Sequence, residues 1–301
     1  MRGNDCPGWL HSTVRRHPVK MRWSKSAMLA LAFFFLTVAD DASSAGYPPD
    51  IGGIIGRGKL TVAMYRQDMP PFFMRGADGA MKGIDVRLAQ EIAANLGVGI
   101  EFNRTAGTFN EVVDIVARGE ADIGISLLSA TPQRALKVLL SEPYQTVLPA
   151  LLVNRLSEVR VKKEDTLENI LQRPENPIGV IGGSAYEKFA RAYFPLARII
   201  AYPDWTSLKK ALVGGKVFSV LQSEATLNIM IAEEPELYAT MRKIAWKGRA
   251  DYIVCALPLA SVHFLRWVNT LIAGRLPWES NREYLNDFVL KSWDATKRST
   301  R

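Results

Sequence analysis

Histidine and cysteine are scarce in this chain. Its 301 residues hold three histidines and two cysteines, and only His263 and Cys255 lie beyond the first forty-five. So few soft ligands leave no Cys-x-x-Cys and no His-Glu-x-x-His, and one cysteine after residue 45 rules out a disulfide framework there. Gly-x-Ser-x-Gly and the phosphate-loop Gly-Lys-Ser/Thr are missing too. No catalytic residue, metal or cofactor is therefore expected. The net charge is +8, yet no lysine/arginine run with interleaved aromatics occurs, so nucleic acid is not an expected partner. The apolar run Ala27–Val38 has twelve residues, short of the about 20 that span a bilayer.

That run has another use. Arg2, Arg15, Arg16, Lys20, Arg22 and Lys25 precede it, and Asp40, Asp41 and the small residues Ser43-Ser44-Ala45 follow. This is the order of a cleavable secretory signal peptide over 1–45, without a lipid-accepting cysteine, and it points to the periplasm. Met21 is an alternative start. The cut would remove those six basic residues with Asp5, Asp40 and Asp41, so the net charge falls from +8 to +5. Cys255, in Y-I-V-C-A-L, reads as a buried apolar residue.

The stretch D-I-G-I-S-L-L-S-A-T-P-Q-R, Asp122 to Arg134, carries the clearest chemistry. It reads as a buried strand, a hydroxyl-bearing loop and a helix start. Thr131 is a good N-cap, Pro132 suits the first helical position, and Arg134 falls in the first turn. Free amides and a guanidinium fork then converge, an arrangement that suits a carboxylate.

Gly46 to Gly58 reads as a lead-in arm, Lys59–Met64 as a strand, and Pro70-Pro71 as a break in any helix. Ile84, Leu88, Ile92 and Leu96 recur every four residues, a one-faced helix that Gly97 ends. Phe109 opens a helical pattern that reaches Gly119 and then a strand. Trp205 opens a second one that reaches Gly215 and then Ser219–Gln222. Both intervals are ten residues, which suggests two similar lobes. Strands alternate with helices throughout, which predicts α/β lobes with mainly parallel sheets and ligands at the carboxyl ends of strands. Ala150–Arg155 is a strand leaving the first half, and Ile178–Ile181 a strand followed by Gly182-Gly183-Ser184 and a helix over Ala185–Tyr193. Ala250–Leu257 is a strand, Phe264–Leu271 a helix and Tyr284–Trp293 a last helix.

With these pieces in order, the chain resembles the periplasmic solute-binding proteins of the amino-acid type, receptors of ABC importers (extracellular solute-binding family 3). The resemblance rests on Pro70-Pro71-Phe72 and on Gly83-Ile84-Asp85-Val86-Arg87-Leu88-Ala89 running on to Leu96-Gly97. Gly119–Asp122, Thr131–Arg134 and Ser141–Tyr144 continue it. It implies a two-lobed α/β fold joined by a two-strand hinge. One lobe would hold 58–153 and 252–301 after an arm at 46–57; the other would hold 156–249, with the hinge near 153–156 and 249–252. It further implies a monomer that closes on an amino acid or organic acid and passes it to the membrane permease of an ABC importer or another transporter. By resemblance Arg134 clamps the ligand carboxylate. Ser129 and Leu127 line that wall, Phe109 stacks on the ligand, and Gly183, Ser184 and Ala185 meet it from the second lobe. Arg66 and Met69 stand on the loop after the first strand, where an arginine meets acidic side chains.

One position departs from the pattern. The aspartate that receives the ligand ammonium in the family is Ser223 here, with Glu224 beside it. Two arginines without a clear ammonium acceptor favour an acidic amino acid or a dicarboxylate. Two other readings stay open: a periplasmic enzyme on the same scaffold, cyclohexadienyl dehydratase-like, with Glu224 as acid or base; or a degenerate receptor acting as a sensor or docking protein.

Overall fold

A computed structural model describes residues 46–76, 78–161, 165–234, 236–246 and 250–274. The signal-peptide segment, the helix expected at Tyr284–Trp293 and most of the expected C-terminal part of the first lobe lie outside the described residues. Among the described residues no helix is long and apolar enough to cross a membrane.

Two five-stranded sheets form the frame. The first runs in the order Gly99–Ala106, Lys59–Tyr65, Ile123–Gly124, Ala256–Leu257, Leu139–Leu140. The second runs Ile199–Tyr202, Ile178–Ile181, Ser219–Ser223, Pro149–Asn154, Met241–Ala245. In each sheet the first three strands are parallel and the fourth is antiparallel to both neighbours. Four strands of five therefore share one direction. The reversed strand is in each case the one that arrives from the other sheet. Gln145–Val147 leads into Pro149–Asn154, and Asp251–Ile253 leads into Ala256–Leu257; the two connecting segments pair antiparallel, Asp251 opposite Val147.

The first crossover therefore falls at Gln145–Val147 and not at 153–156. Pro149–Asn154 is buried at every position and hydrogen-bonded to second-sheet strands on both sides. An unbroken apolar run has no polar face, so its sequence does not tell which sheet it joins. The expected arm is corrected as well. Pro49–Gly56 is a helix with Ile51 and Ile54 buried, and Asp50 Oδ2 accepts the Phe264 N–H at 2.9 Å near the start of the Val262–Gly274 helix.

The helices follow their sequence signals. Ile84–Leu96 buries Leu88, Ala89 and Ile92 on the first core and ends at Gly97 with φ 68°. Thr108 caps Phe109–Ala117 and Asp204 caps Trp205–Val213, each accepting a backbone N–H three residues on. The glycines that follow, Gly119 and Gly215, have φ of 71° and 67°. The ten-residue interval is thus one capped helix, a left-handed turn and the strand that extends the sheet, used once per sheet.

One buried charge ties the first half together. Asp85 is fully buried, accepts the Leu127 N–H at 2.7 Å and accepts the Tyr144 hydroxyl at 2.9 Å. Burial lifts its carboxyl to about 7, against the opposing pull of those two donors. The folded state therefore holds a proton that the unfolded chain releases near pH 4. Stability from this group is full below pH 4 and is lost as pH rises toward 7, by about 4 kcal/mol at most. Denaturant unfolding of wild type against Asp85→Asn should show the wild type losing more stability between pH 4.5 and pH 8. Parallel curves would remove Asp85 as the source.

Candidate functional site

The loops at the carboxyl ends of the parallel strands meet. From the first sheet come Tyr65–Gln67, Gly107–Phe109 and Leu127–Arg134; from the second come Gly182–Ser184 and Pro203–Trp205. The Tyr65 hydroxyl donates to Pro203 O at 3.3 Å, and the Tyr65 and Phe109 rings lie 4.7 Å apart. Gly183, at φ 72°, comes close to Thr108: a Cβ there would sit a tight 3.0 Å from Thr108 Cβ.

Arg134 is 5 % exposed. It stands in a single helical turn, Pro132–Ala135, whose first amides turn back on Thr131. The expected helix is thus too short to lend much of a dipole, and the guanidinium is the main positive element. Its Nη1 donates to Ser129 O at 2.8 Å, the one side-chain hydrogen bond it makes among the described residues. Burial pushes its pKa down to about 10, with Asp251 acting the other way, so it stays charged at neutral pH. The Ser129 hydroxyl donates to Asp251 Oδ2 at 2.9 Å. Leu127 has φ 48°, and its successors pair with the second crossover: Val254 N–H reaches Leu128 O and Ala130 N–H reaches Tyr252 O.

Asp251 and Tyr186 were not anticipated. Asp251 is 3 % exposed, opens the crossover strand, and faces the Ser129–Arg134 wall on one side and Tyr186 on the other. The Tyr186 phenol is raised well above its usual range by burial and then by Asp251. The available signal was an acid opening the apolar run Y-I-V-C-A-L, where a charge in a buried strand requires a partner.

The structure brings Leu127, Ser129 and Arg134 into one wall and sets Phe109 opposite Gly183, Ser184 and Ala185. It modifies the expected part of Gly183. Ser184 and Glu187 form a capping box: the Ser184 hydroxyl accepts Glu187 N–H, and Gly183 N–H donates to Glu187 Oε2 at 3.0 Å. That amide is satisfied within the helix. Thr108 and Glu111 repeat the device, with Gly107 N–H donating to Glu111 Oε2 at 2.7 Å. Arg66 is exposed and lines a cavity of about 530 Å³ with Arg75, Arg104 and Trp205. The Asp204 carboxyl is held below its usual range chiefly by the Ser207 N–H, and Arg66 adds to this. Arg104 braces the same loop through Asp68 at 2.8 Å and Arg66 O at 2.7 Å.

Three expected site residues have other engagements. Met69 is fully buried in the first core, its backbone bridged to Phe73, because Phe72 and Phe73 pull the loop inward. Ser223 ends its strand as the N-cap of Glu224–Glu233, accepting Thr226 N–H and donating to Thr226 Oγ1 at 2.8 Å. Glu224 opens that helix and holds Lys243 Nζ at 2.6 Å. Among the described residues no three His, Cys, Asp or Glu side chains converge as a metal site.

Two linked α/β sheets with a buried guanidinium at their facing loops define a small-molecule-binding molecule. Residues 60–256 match the model of the bacterial extracellular solute-binding proteins, family 3, and the chain belongs to that family. It is similar to the ABC transporter arginine-binding protein 1 of Escherichia coli K12, at 23 % identity over 175 residues, 58 % of this chain and 68 % of that one. It is also similar to a cyclohexadienyl dehydratase of Pseudomonas aeruginosa, at 29 % identity over 211 residues, 70 % of this chain and 76 % of that one. The crystal structure of an ancestral amino acid-binding protein, described as a precursor of cyclohexadienyl dehydratase, superposes with a TM-score of 0.65 at 23 % identity. It covers 81 % of this chain and 98 % of that one, and the shared fold is the two-lobed periplasmic-binding-protein fold.

Ser223 acts as a helix cap, so Ser223→Ala should cost about 1 kcal/mol. That lowers the melting temperature by about 2–4 °C for a chain of this size. Calorimetric scanning checks it; an unchanged melting temperature would show that the cap contributes no net stability.

Proposed function

We propose that the chain is a periplasmic receptor that captures a small carboxylate ligand, preferably an acidic amino acid, between its two lobes and delivers it to the membrane permease of an ABC importer. One observation carries this reading. Arg134 is 5 % exposed and charged, and among the described residues its side chain bonds only to Ser129 O, which leaves guanidinium donors for a ligand. A largely desolvated guanidinium gains from an anion set against those donors. A bidentate carboxylate satisfies it, each charge-assisted bond contributing about 1.5–3 kcal/mol.

Asp251 bears on the choice between a dicarboxylate and an amino acid. It supplies the negative charge that Ser223 lacks, within electrostatic reach of Arg134. A ligand with a carboxylate on Arg134 and an ammonium toward Asp251 is an amino acid. Arg66, Arg75 and Arg104 at the adjoining cavity, against Asp68, favour an acidic side chain. Closure would turn on the paired segments Gln145–Val147 and Asp251–Ile253, since these are the two links between the sheets. The pairing of Glu224 with Lys243 weighs against Glu224 as the acid of the dehydratase alternative.

Titration calorimetry with glutamate, aspartate, succinate and malate should give tighter binding than lysine, arginine or leucine. Tighter binding of lysine or arginine would overturn the acidic preference and leave the receptor reading standing. Arg134→Ala should weaken binding by at least about a hundredfold while the melting temperature stays within a few degrees. Unchanged affinity would take Arg134 out of the site. Turnover of prephenate or arogenate by the purified protein would replace the receptor by the enzyme.

A further inference from the structure

We propose that a second, separate site on the middle segment of the chain binds a phosphate-class anion. The site is a cavity of about 430 Å³ whose charged lining residues are Arg160, Arg173, Arg198, Lys216 and Glu175, over a floor that includes Phe218. Its place in the fold separates it from the ligand cleft. Pro177 and Phe218 both line it, and they immediately precede the parallel strands Ile178–Ile181 and Ser219–Ser223. The cavity therefore opens at the amino ends of the second sheet, while the cleft loops Gly182–Ser184 and Pro203–Trp205 leave the carboxyl ends.

Arg173 is engaged by Asp165. Arg160, Arg198 and Lys216 have no ion pair among the described residues, and Glu175 is the one carboxylate in the lining. Arg242, Lys209 and Arg191 of the same segment are paired with Glu158, Glu234 and Glu187, while Lys188 and Lys210, unpaired among the described residues, are not among the residues lining this cavity. Three unmatched cations around one concavity repel one another, and a concave low-dielectric wall concentrates their field. The surplus over Glu175 is two positive charges, which matches a phosphate dianion. Two guanidiniums offer planar forks to phosphate oxygens, and the lysine adds a mobile point charge. Phe218, Val161 and Pro177 add an apolar part to the lining, and the volume leaves room for more than the phosphate itself.

The shared chemistry is a phosphate group, free or on a lipid. Calorimetry with sodium pyrophosphate at low salt, in an Arg134→Ala background, reads the free form without interference from the cleft. Sedimentation with phosphatidylglycerol vesicles, against phosphatidylcholine vesicles, reads the lipid form. Saturable binding in either arm is expected, weakened about tenfold or more by Arg198→Ala with Lys216→Ala and strengthened by Glu175→Gln. Arg198 and Lys216 are exposed and make no side-chain hydrogen bond among the described residues, so the double variant should fold, and its melting curve checks this. No binding in either arm overturns the proposal, as does binding that the double variant leaves unchanged. Pyrophosphate binding alone identifies a free anion, and vesicle binding alone a headgroup.

Discussion

The Asp85 carboxylate sets the position of the first-lobe wall. It is buried at the start of the Ile84–Leu96 helix and receives two donors from different parts of the chain, Leu127 N–H and Tyr144 O–H. Leu127 is held in left-handed backbone, which costs a branched residue about 1–2 kcal/mol unless a fixed acceptor repays it. From Leu127 the chain runs directly to Leu128, Ser129 and Ala130, which pair with the crossover, and then to Arg134. The guanidinium therefore takes its place from a carboxylate forty-nine residues earlier in sequence. Gly83 belongs to the same constraint. A Cβ at that position would lie 2.1 Å from Phe72 O, and only glycine lets Asp85 N–H reach the same carbonyl at 2.9 Å.

Symmetry of construction explains what the cleft can and cannot offer an anion. Gly107-Thr108-Phe109-Asn110-Glu111 and Gly183-Ser184-Ala185-Tyr186-Glu187 are the same capping box, one per sheet, set face to face. Two helix N-termini aimed at one another would repel if both were open. Each instead turns its own glutamate back on its first glycine amide. That offsets the charge of the ends where Gly183 approaches Thr108. On the proposed reading the anion is then left to the guanidinium of Arg134, whose planar fork has a side-chain geometry that a diffuse dipole lacks.

Most regular elements were legible because their signals are local. Ile84–Leu96, Leu167–Leu171, Ile178–Ile181 and Ala185–Tyr193 coincide with capped, periodic or bounded stretches of sequence. The misreadings share a different cause. Pro149–Asn154 is apolar throughout, so only its hydrogen-bond partners, at Ser219–Ser223 and Met241–Ala245, reveal its sheet. Glycine and proline in Pro49–Gly56 suggested an arm, but proline stands at the first helical position and Ile51 and Ile54 gain a core. At the site, Arg134 and its cap were readable from Thr-Pro-x-Arg. The fates of Ser223 and Glu224 were not, because a serine after a strand caps a helix as readily as it lines a cleft. Lys243, which takes Glu224, comes from a strand nineteen residues away.

Asp251 changes how recognition can be coupled to shape. An ammonium acceptor on the Ser219–Ser223 strand would sit inside one lobe and report only on that lobe. Asp251 stands instead on one of the two segments that join the sheets, opposite Val147 of the other. It holds the Ser129 hydroxyl of the first half and raises the Tyr186 phenol of the second. A ligand charge placed beside it acts on the connection itself. On the reading proposed above, a ligand with both signs of charge would meet Arg134 with its carboxylate and bring its ammonium toward Asp251. A purely anionic ligand would set a like charge near that carboxylate. On the proposed reading, a zwitterionic head group would then be held from the crossover strand, and an acidic tail by the arginines at the mouth.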